Sequence, residues 1–119
     1  MTSFIIAGNR GTDDPTMATL PFIAAKVAHE QGHDVVLWLA NEAVILARIG
    51  VADHVVGVNL VPLRDLLQVV QALGIPVWVC SACAVARQIG QEHLVEGAVI
   101  KGMPDYIQAV AEREKSVVF

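Results

Sequence analysis

The stretch Gly74-Ile75-Pro76-Val77-Trp78-Val79-Cys80-Ser81-Ala82-Cys83-Ala84-Val85-Ala86-Arg87 decides how this chain is read. Ile75 to Val79 is an apolar run opened by Gly74, as expected of a strand buried on both faces. From Ser81 to about Ile89 the residues favour a helix, and Gly90 ends it. Cys80 and Cys83, the only two cysteines, therefore straddle a strand-to-helix junction. Backbone N–H groups and the positive end of a helix dipole favour a thiolate there, and the thiolate is the reactive form of the residue.

The same alternation continues outward in both directions. Phe4 to Ala7 reads as a first strand, followed by a loop, Asn9-Arg10-Gly11-Thr12-Asp13-Asp14-Pro15. Asp14 is placed to cap a helix that has Pro15 at its first position and ends near Gln31 and Gly32. Its apolar stripe reads as Met17, Leu20, Ala24 and Val27, with Pro21 inside as a bend. Asp34 to Leu39 is a second strand. Asn41 is placed to cap a short helix from Glu42 to Arg48, whose Ala43-Val44-Ile45-Leu46-Ala47 has no polar face; that predicts burial all round, which we read as oligomer contact. Residues 50–60 read as loop with extended pieces around Val55 and Val56. Helices are expected from Pro62 to Ala72, on Leu63, Leu66, Leu67 and Val70, and around Met103, Tyr106, Ile107 and Val110. Short strands are expected at 98–100 and 116–119. The order predicts one α/β domain over residues 1–119, with a mainly parallel sheet of about five strands covered on both faces, a three-layer α/β/α architecture.

Composition narrows the function classes. The 119 residues suit one domain with a real core. A net charge of −4 and the lack of a Lys/Arg cluster argue against nucleic-acid binding and against an anionic membrane surface. Hydrophobic residues make up 55% of the chain, and mean hydropathy is +0.55. No apolar run approaches the roughly 18–20 residues of a membrane span. The surplus is assigned to a doubly covered sheet and a subunit interface. The N-terminal residues lack the basic region and cleavage pattern of a signal peptide. With two closely spaced cysteines, this predicts a cytoplasmic protein with a functional thiol pair.

In open α/β sheets, ligand sites lie beyond the carboxyl ends of the strands. The loops there carry Asn9, Arg10, Asn41, Glu42, Cys80 to Cys83 and Lys101. The thiol pair fits a thioredoxin-like dithiol, half of a zinc site, a sulfur carrier, or two small core residues. Zinc needs four ligands, and no second CxxC or HxxxH exists; His93 adds one at most. Arg87 lies four residues after Cys83, one helical turn away, where a guanidinium lowers a thiol pKa and holds an anionic persulfide. The same arginine is equally well explained as a solvated surface residue. The loop from Asn9 lacks P-loop and GxGxxG spacing, and Asp13 and Asp14 are explained by turn formation and capping.

In order and spacing, several segments resemble the DsrE/DsrF-like sulfur-carrier family. They are Gly11-Thr12-Asp13-Asp14-Pro15, Gly32-His33-Asp34-Val35, Leu63-Arg64-Asp65-Leu66-Leu67 and Gly74 to Cys80, with Arg87 seven residues after Cys80. Cys80 falls at the family's sulfur-bearing cysteine and Arg87 at its arginine. Gln88 stands where a glycine is usual, and Cys83 is an additional thiol. The resemblance implies a three-layer fold, homotrimers or hexamers, and a cysteine persulfide as the working species, with Cys80 and Arg87 in the reactive roles; Cys83 joins that set as a thiol placed to resolve the persulfide. Its partners would be persulfide-donating and sulfur-accepting proteins, with no metal or organic cofactor. A CxxC dithiol oxidoreductase or peroxide-reducing protein, and a non-enzymatic oligomer binding a small ligand near Asn9, Arg10, Asn41 and Glu42, are the alternative functions.

Overall fold

A computed structural model describes residues 1–119. The strands are β1 (Ser3–Gly8), β2 (Asp34–Leu39), β3 (Val77–Cys80), β4 (Ala98–Lys101) and β5 (Lys115–Val118), and the α-helices are α1 (Pro15–Glu30), α2 (Leu63–Ala72), α3 (Ser81–Ala86) and α4 (Met103–Glu112). Three 3₁₀ segments, Asn41–Ala47, Val51–His54 and Gln91–His93, complete the chain. The strands form one sheet in the order β4-β3-β2-β1-β5, and every pairing is parallel. The three-layer α/β/α expectation holds.

The connections explain the layers. From β1 to β4 the chain steps in one direction, so right-handed crossovers put their helices on one face. The return from β4 to β5, beside β1, sends α4 across the other face. There Tyr106 stacks on Trp38 of β2 with ring centroids 4.6 Å apart. The first three strands are buried, in keeping with their apolar runs, whereas β5 is an exposed edge strand.

Several local expectations are corrected. In α1 the core face is Ala18, Thr19, Pro21, Phe22, Ala25 and Ala28. The predicted stripe lies one position out of phase, and its Val27 is 44% exposed. The helix is apolar nearly all round, so periodicity could not set its phase. The small alanines face the sheet because they let the backbones approach. Pro21 also fits tightly here, since a Cβ on Gly8 of β1 would come 2.9 Å from its Cγ. The second correction concerns Asn41–Ala47, which is 3₁₀ and not α-helical. Ala43, Val44, Leu46 and Ala47 are wholly buried within this same chain, so their lack of a polar face is met by the domain's own core.

Asp14 caps α1 as expected, its Oδ1 accepting from the Met17 N–H at 3.1 Å. Asn41 caps nothing; it occupies a left-handed conformation with φ 53°, which an N-cap residue does not adopt. Helix α3 is shorter than predicted, because the Arg87 and Ile89 N–H groups both close onto the Ala84 carbonyl and Gln88 turns left-handed with φ 57°.

Candidate functional site: a thiol pair at the carboxyl edge of the sheet

The local sequence puts both sulfurs at one point. β3 ends at Cys80, whose register partner on β4 is Lys101, and α3 starts at the next residue. Cys80 is 3% exposed; Cys83 is half-buried, and both thiols are free. α3 is only six residues long, so its dipole contributes little to either sulfur.

The groups around Cys83 come from other elements. The Asn41 backbone N–H, on the turn after β2, donates to Cys83 Sγ at 3.2 Å. The same turn is tied to α3 by an ion pair: Arg87 Nε and Nη2 donate to Glu42 Oε1 at 2.8 and 2.6 Å. Arg87 Nη1 also donates to the Cys83 carbonyl at 3.0 Å, closing the helix end. Asn41 Nδ2 donates to the Asn9 carbonyl at 3.3 Å, and Asn9 Nδ2 to the Phe119 carbonyl at 2.8 Å. Under this turn lies Gly11, where a Cβ would come 2.5 Å from the Glu42 carbonyl oxygen.

Burial pushes the Cys83 thiol above its ordinary value of 9.0, and the adjacent Cys80 thiol adds to the rise. The Asn41 N–H pulls it back, more strongly than the charge of Arg87 does. Activation by the helix terminus, expected from sequence, is therefore not what Cys83 experiences. The cause is plain in the geometry: the helix is short, the sulfur is partly desolvated, and the guanidinium is already paired with a carboxylate.

Of the residues singled out in the sequence, Cys80, Cys83, Arg87, Asn41 and Glu42 come together, and Asn9 joins through Asn41. Arg10 stands apart in an exposed pair with Asp13, Nη1 to Oδ2 at 3.4 Å. Lys101 places its Nζ 5.4 Å from the Trp78 ring centroid. Sequence reasoning missed the Phe119 carbonyl, which is main chain and leaves no signal in residue type. It also missed the support that Gly11 gives the turn; a glycine in a loop that otherwise prefers turn formers was the available hint. No three His, Cys, Asp or Glu side chains converge as a metal site. The two cavities lie away from the thiols, one of about 360 Å³ beside His29, His33 and Pro76 and one of about 180 Å³ between Trp78 and α4.

A parallel α/β/α sheet with a thiol pair at the carboxyl end of β3 defines a class of small thiol-bearing α/β domains. Within that class, this chain belongs to the DsrE/DsrF-like family, whose pattern matches residues 2–119. It is 27% identical over 107 residues to an uncharacterized protein, MJ0760, of Methanocaldococcus jannaschii. That match takes in 90% of this chain and 39% of the relative, so the chain spans well under half of its length. The fold is similar to that of the YchN protein of Escherichia coli, with a TM-score of 0.85 at 22% identity over 100% of both chains. It is also similar to MTH1491, a protein of unknown function from Methanobacterium thermoautotrophicum, with a TM-score of 0.67 at 11% identity, covering 98% of this chain and 96% of that one.

Proposed function

We propose that this chain is a small sulfur carrier, or sulfurtransferase, that holds a cysteine persulfide on Cys80. The observation that carries the reading is the paired free thiols at the carboxyl edge of the sheet in a member of the DsrE/DsrF-like family. Membership supports a role related to sulfur relay. The burial of Cys80 suits storage, because a persulfide shielded from water and stray thiols survives until a partner reaches it.

The chemistry balances without a cofactor. A Cys thiolate attacks the outer sulfur of a donor persulfide, R–S–SH. The donor S–S bond breaks, R–S⁻ leaves, and the outer sulfur is now bonded to the cysteine. An acceptor thiolate reverses the step. Cys83 also offers a resolving route: its thiolate attacks the inner sulfur of Cys80–S–SH, forming a Cys80–Cys83 disulfide and releasing HS⁻. That route connects the carrier reading to the dithiol oxidoreductase alternative.

Free thiols suit a reducing compartment such as the cytoplasm. Donor and acceptor proteins are the partners this reading requires. Self-association into trimers or hexamers is part of the proposal, supported by the exposed Met103, Ile107 and Val118 on α4 and β5. Native mass spectrometry tests it directly.

The carrier reading is tested by loading with polysulfide, removing the excess, and following intact mass over time. The wild type is expected to keep the mass of one added sulfur, and Cys80→Ser to lose it quickly. Equal retention by Cys80→Ser and wild type would remove Cys80 from the storage role.

A further inference from the structure

The turn after β2 has no part in the sulfur chemistry described so far, yet it makes the most specific contact at the site. Its Asn41 N–H is the one backbone donor directed at a sulfur. The residue that supplies it holds a left-handed conformation, φ 53°, which costs a non-glycine residue about 1–2 kcal/mol. The turn is clamped from three sides. Glu42 is paired with Arg87, the Asn41 side chain is bonded to the Asn9 carbonyl, and Gly11 lies against the Glu42 carbonyl. Cys83 is also the more exposed of the two thiols.

We propose that Cys83 is the thiol that meets an incoming persulfide, that the Asn41 N–H stabilises the thiolate form through which it reacts, and that Glu42 acts through Arg87 as the positioning residue for that N–H. The inference rests on the carrier reading and adds an order of events. Cys83–S⁻ takes the outer sulfur of R–S–SH and expels R–S⁻. The Cys80 thiolate then attacks the outer sulfur of Cys83–S–SH. One S–S bond breaks, another forms, and the sulfur moves inward to the shielded position. Cys83 leaves as a thiolate, again under the Asn41 N–H, and takes up the proton that Cys80 gave up. No oxidant or reductant enters.

The proposal separates positioning from simple charge. The titratable or charged groups around Cys83 are Cys80, Arg87 and, through Arg87, Glu42; Lys101 is turned onto Trp78. If charge alone mattered, removing Glu42 would favour the Cys83 thiolate and removing Arg87 would disfavour it. If the ion pair positions the N–H, both removals disfavour the thiolate.

The test is the pH profile of Cys83 alkylation by iodoacetamide, read by intact mass in a Cys80→Ser background. This readout needs no sulfur transfer, so it can fail while the persulfide reading stands, and the reverse. Glu42→Ala and Arg87→Ala are both expected to move the profile to higher pH. Asn41→Gly keeps the left-handed backbone and the N–H but loses the side-chain bonds to the Asn9 carbonyl and Arg87, so it is expected to move the profile less than Asn41→Val does. Asn41→Val disfavours that backbone and is expected to raise the apparent pKa by about one unit, roughly tenfold slower alkylation at neutral pH. A downward shift in Glu42→Ala, or equal profiles for Asn41→Gly and Asn41→Val, overturns the proposal.

Discussion

Gly11→Ala should both destabilise the domain and disturb the thiol site, because the added methyl has nowhere to go. It would sit 2.5 Å from the Glu42 carbonyl oxygen, 3.0 Å from the Glu42 carbonyl carbon and 3.2 Å from Ile45 Cδ1. The first two are backbone atoms of the segment that carries Asn41 and Glu42, so no rotamer change relieves them. Either the loop at 9–14 lifts away or the turn is pushed outward. Overpacking of this kind costs about 1–3 kcal/mol. With a urea m-value of about 1–3 kcal/mol/M, the unfolding midpoint should fall by roughly 1 M with the slope unchanged. Gly102→Ala is the control: its φ is an ordinary −88°, and the nearest atom, Pro104 Cδ, is 3.3 Å from the added carbon. Its neighbour is a side-chain atom that can give by a few tenths of an ångström, so it should cost less than Gly11→Ala, about the 0.5–1 kcal/mol of a weakened N-cap. Gly11→Ala should also move the Cys83 alkylation profile to higher pH, as Glu42→Ala does. Stability within about 0.5 kcal/mol of wild type, with an unmoved profile, would refute the claim that the first loop braces the turn.

Two further outcomes follow from backbone and burial. Gln88 is left-handed, φ 57°, at a cost of about 1–2 kcal/mol that glycine avoids; after glycine's extra unfolded-state entropy, Gln88→Gly should gain about 0.5–1 kcal/mol in urea unfolding. The folded-state pKa of Cys83 is raised, so the unfolded chain gives up this proton first as pH rises. The stability tied to Cys83 is present below its ordinary value of 9.0 and is lost as pH climbs through the folded value; Cys83→Ser should flatten that alkaline decline in thermal unfolding scans.

Much of the fold was legible because strands buried on both faces write themselves as continuous apolar runs, as in Phe4 to Ala7 and Asp34 to Leu39. Helix α2 was equally plain, its Leu63, Leu66, Leu67 and Val70 all buried as spaced. Legibility failed where apolar residues surround a helix. In α1 nothing in the sequence distinguishes the Ala18–Ala25 face from the Met17–Ala24 face, and packing distance to the sheet makes the choice. The Asn41–Ala47 segment failed differently. Its uniform apolarity correctly signalled burial, but burial against the chain's own core and burial against a second copy leave the same pattern.

The site was legible in its residue types and not in its bonds. CxxC spacing treats the two sulfurs as equivalent, and a helix-terminus argument would favour both. The three-dimensional arrangement makes them unequal for a reason no local pattern contains. The donor to Cys83 is a main-chain N–H from a residue 42 positions earlier, on a turn whose backbone is left-handed at that residue. Asparagine is among the few residues that adopt this conformation readily. Asn41 thus carried a signal that sequence reasoning assigned to the wrong task. Read as a helix cap, it closes the Asn41–Ala47 segment; read as a left-handed turn residue, it shapes the turn whose N–H meets Cys83. Arg87 is reassigned in the same way. A guanidinium already paired with Glu42 at 2.6 Å has little free charge to lend a thiolate, but it can hold two elements in register. Control of Cys83 reactivity therefore belongs to the geometry of the turn after β2 more than to the net charge around the sulfur.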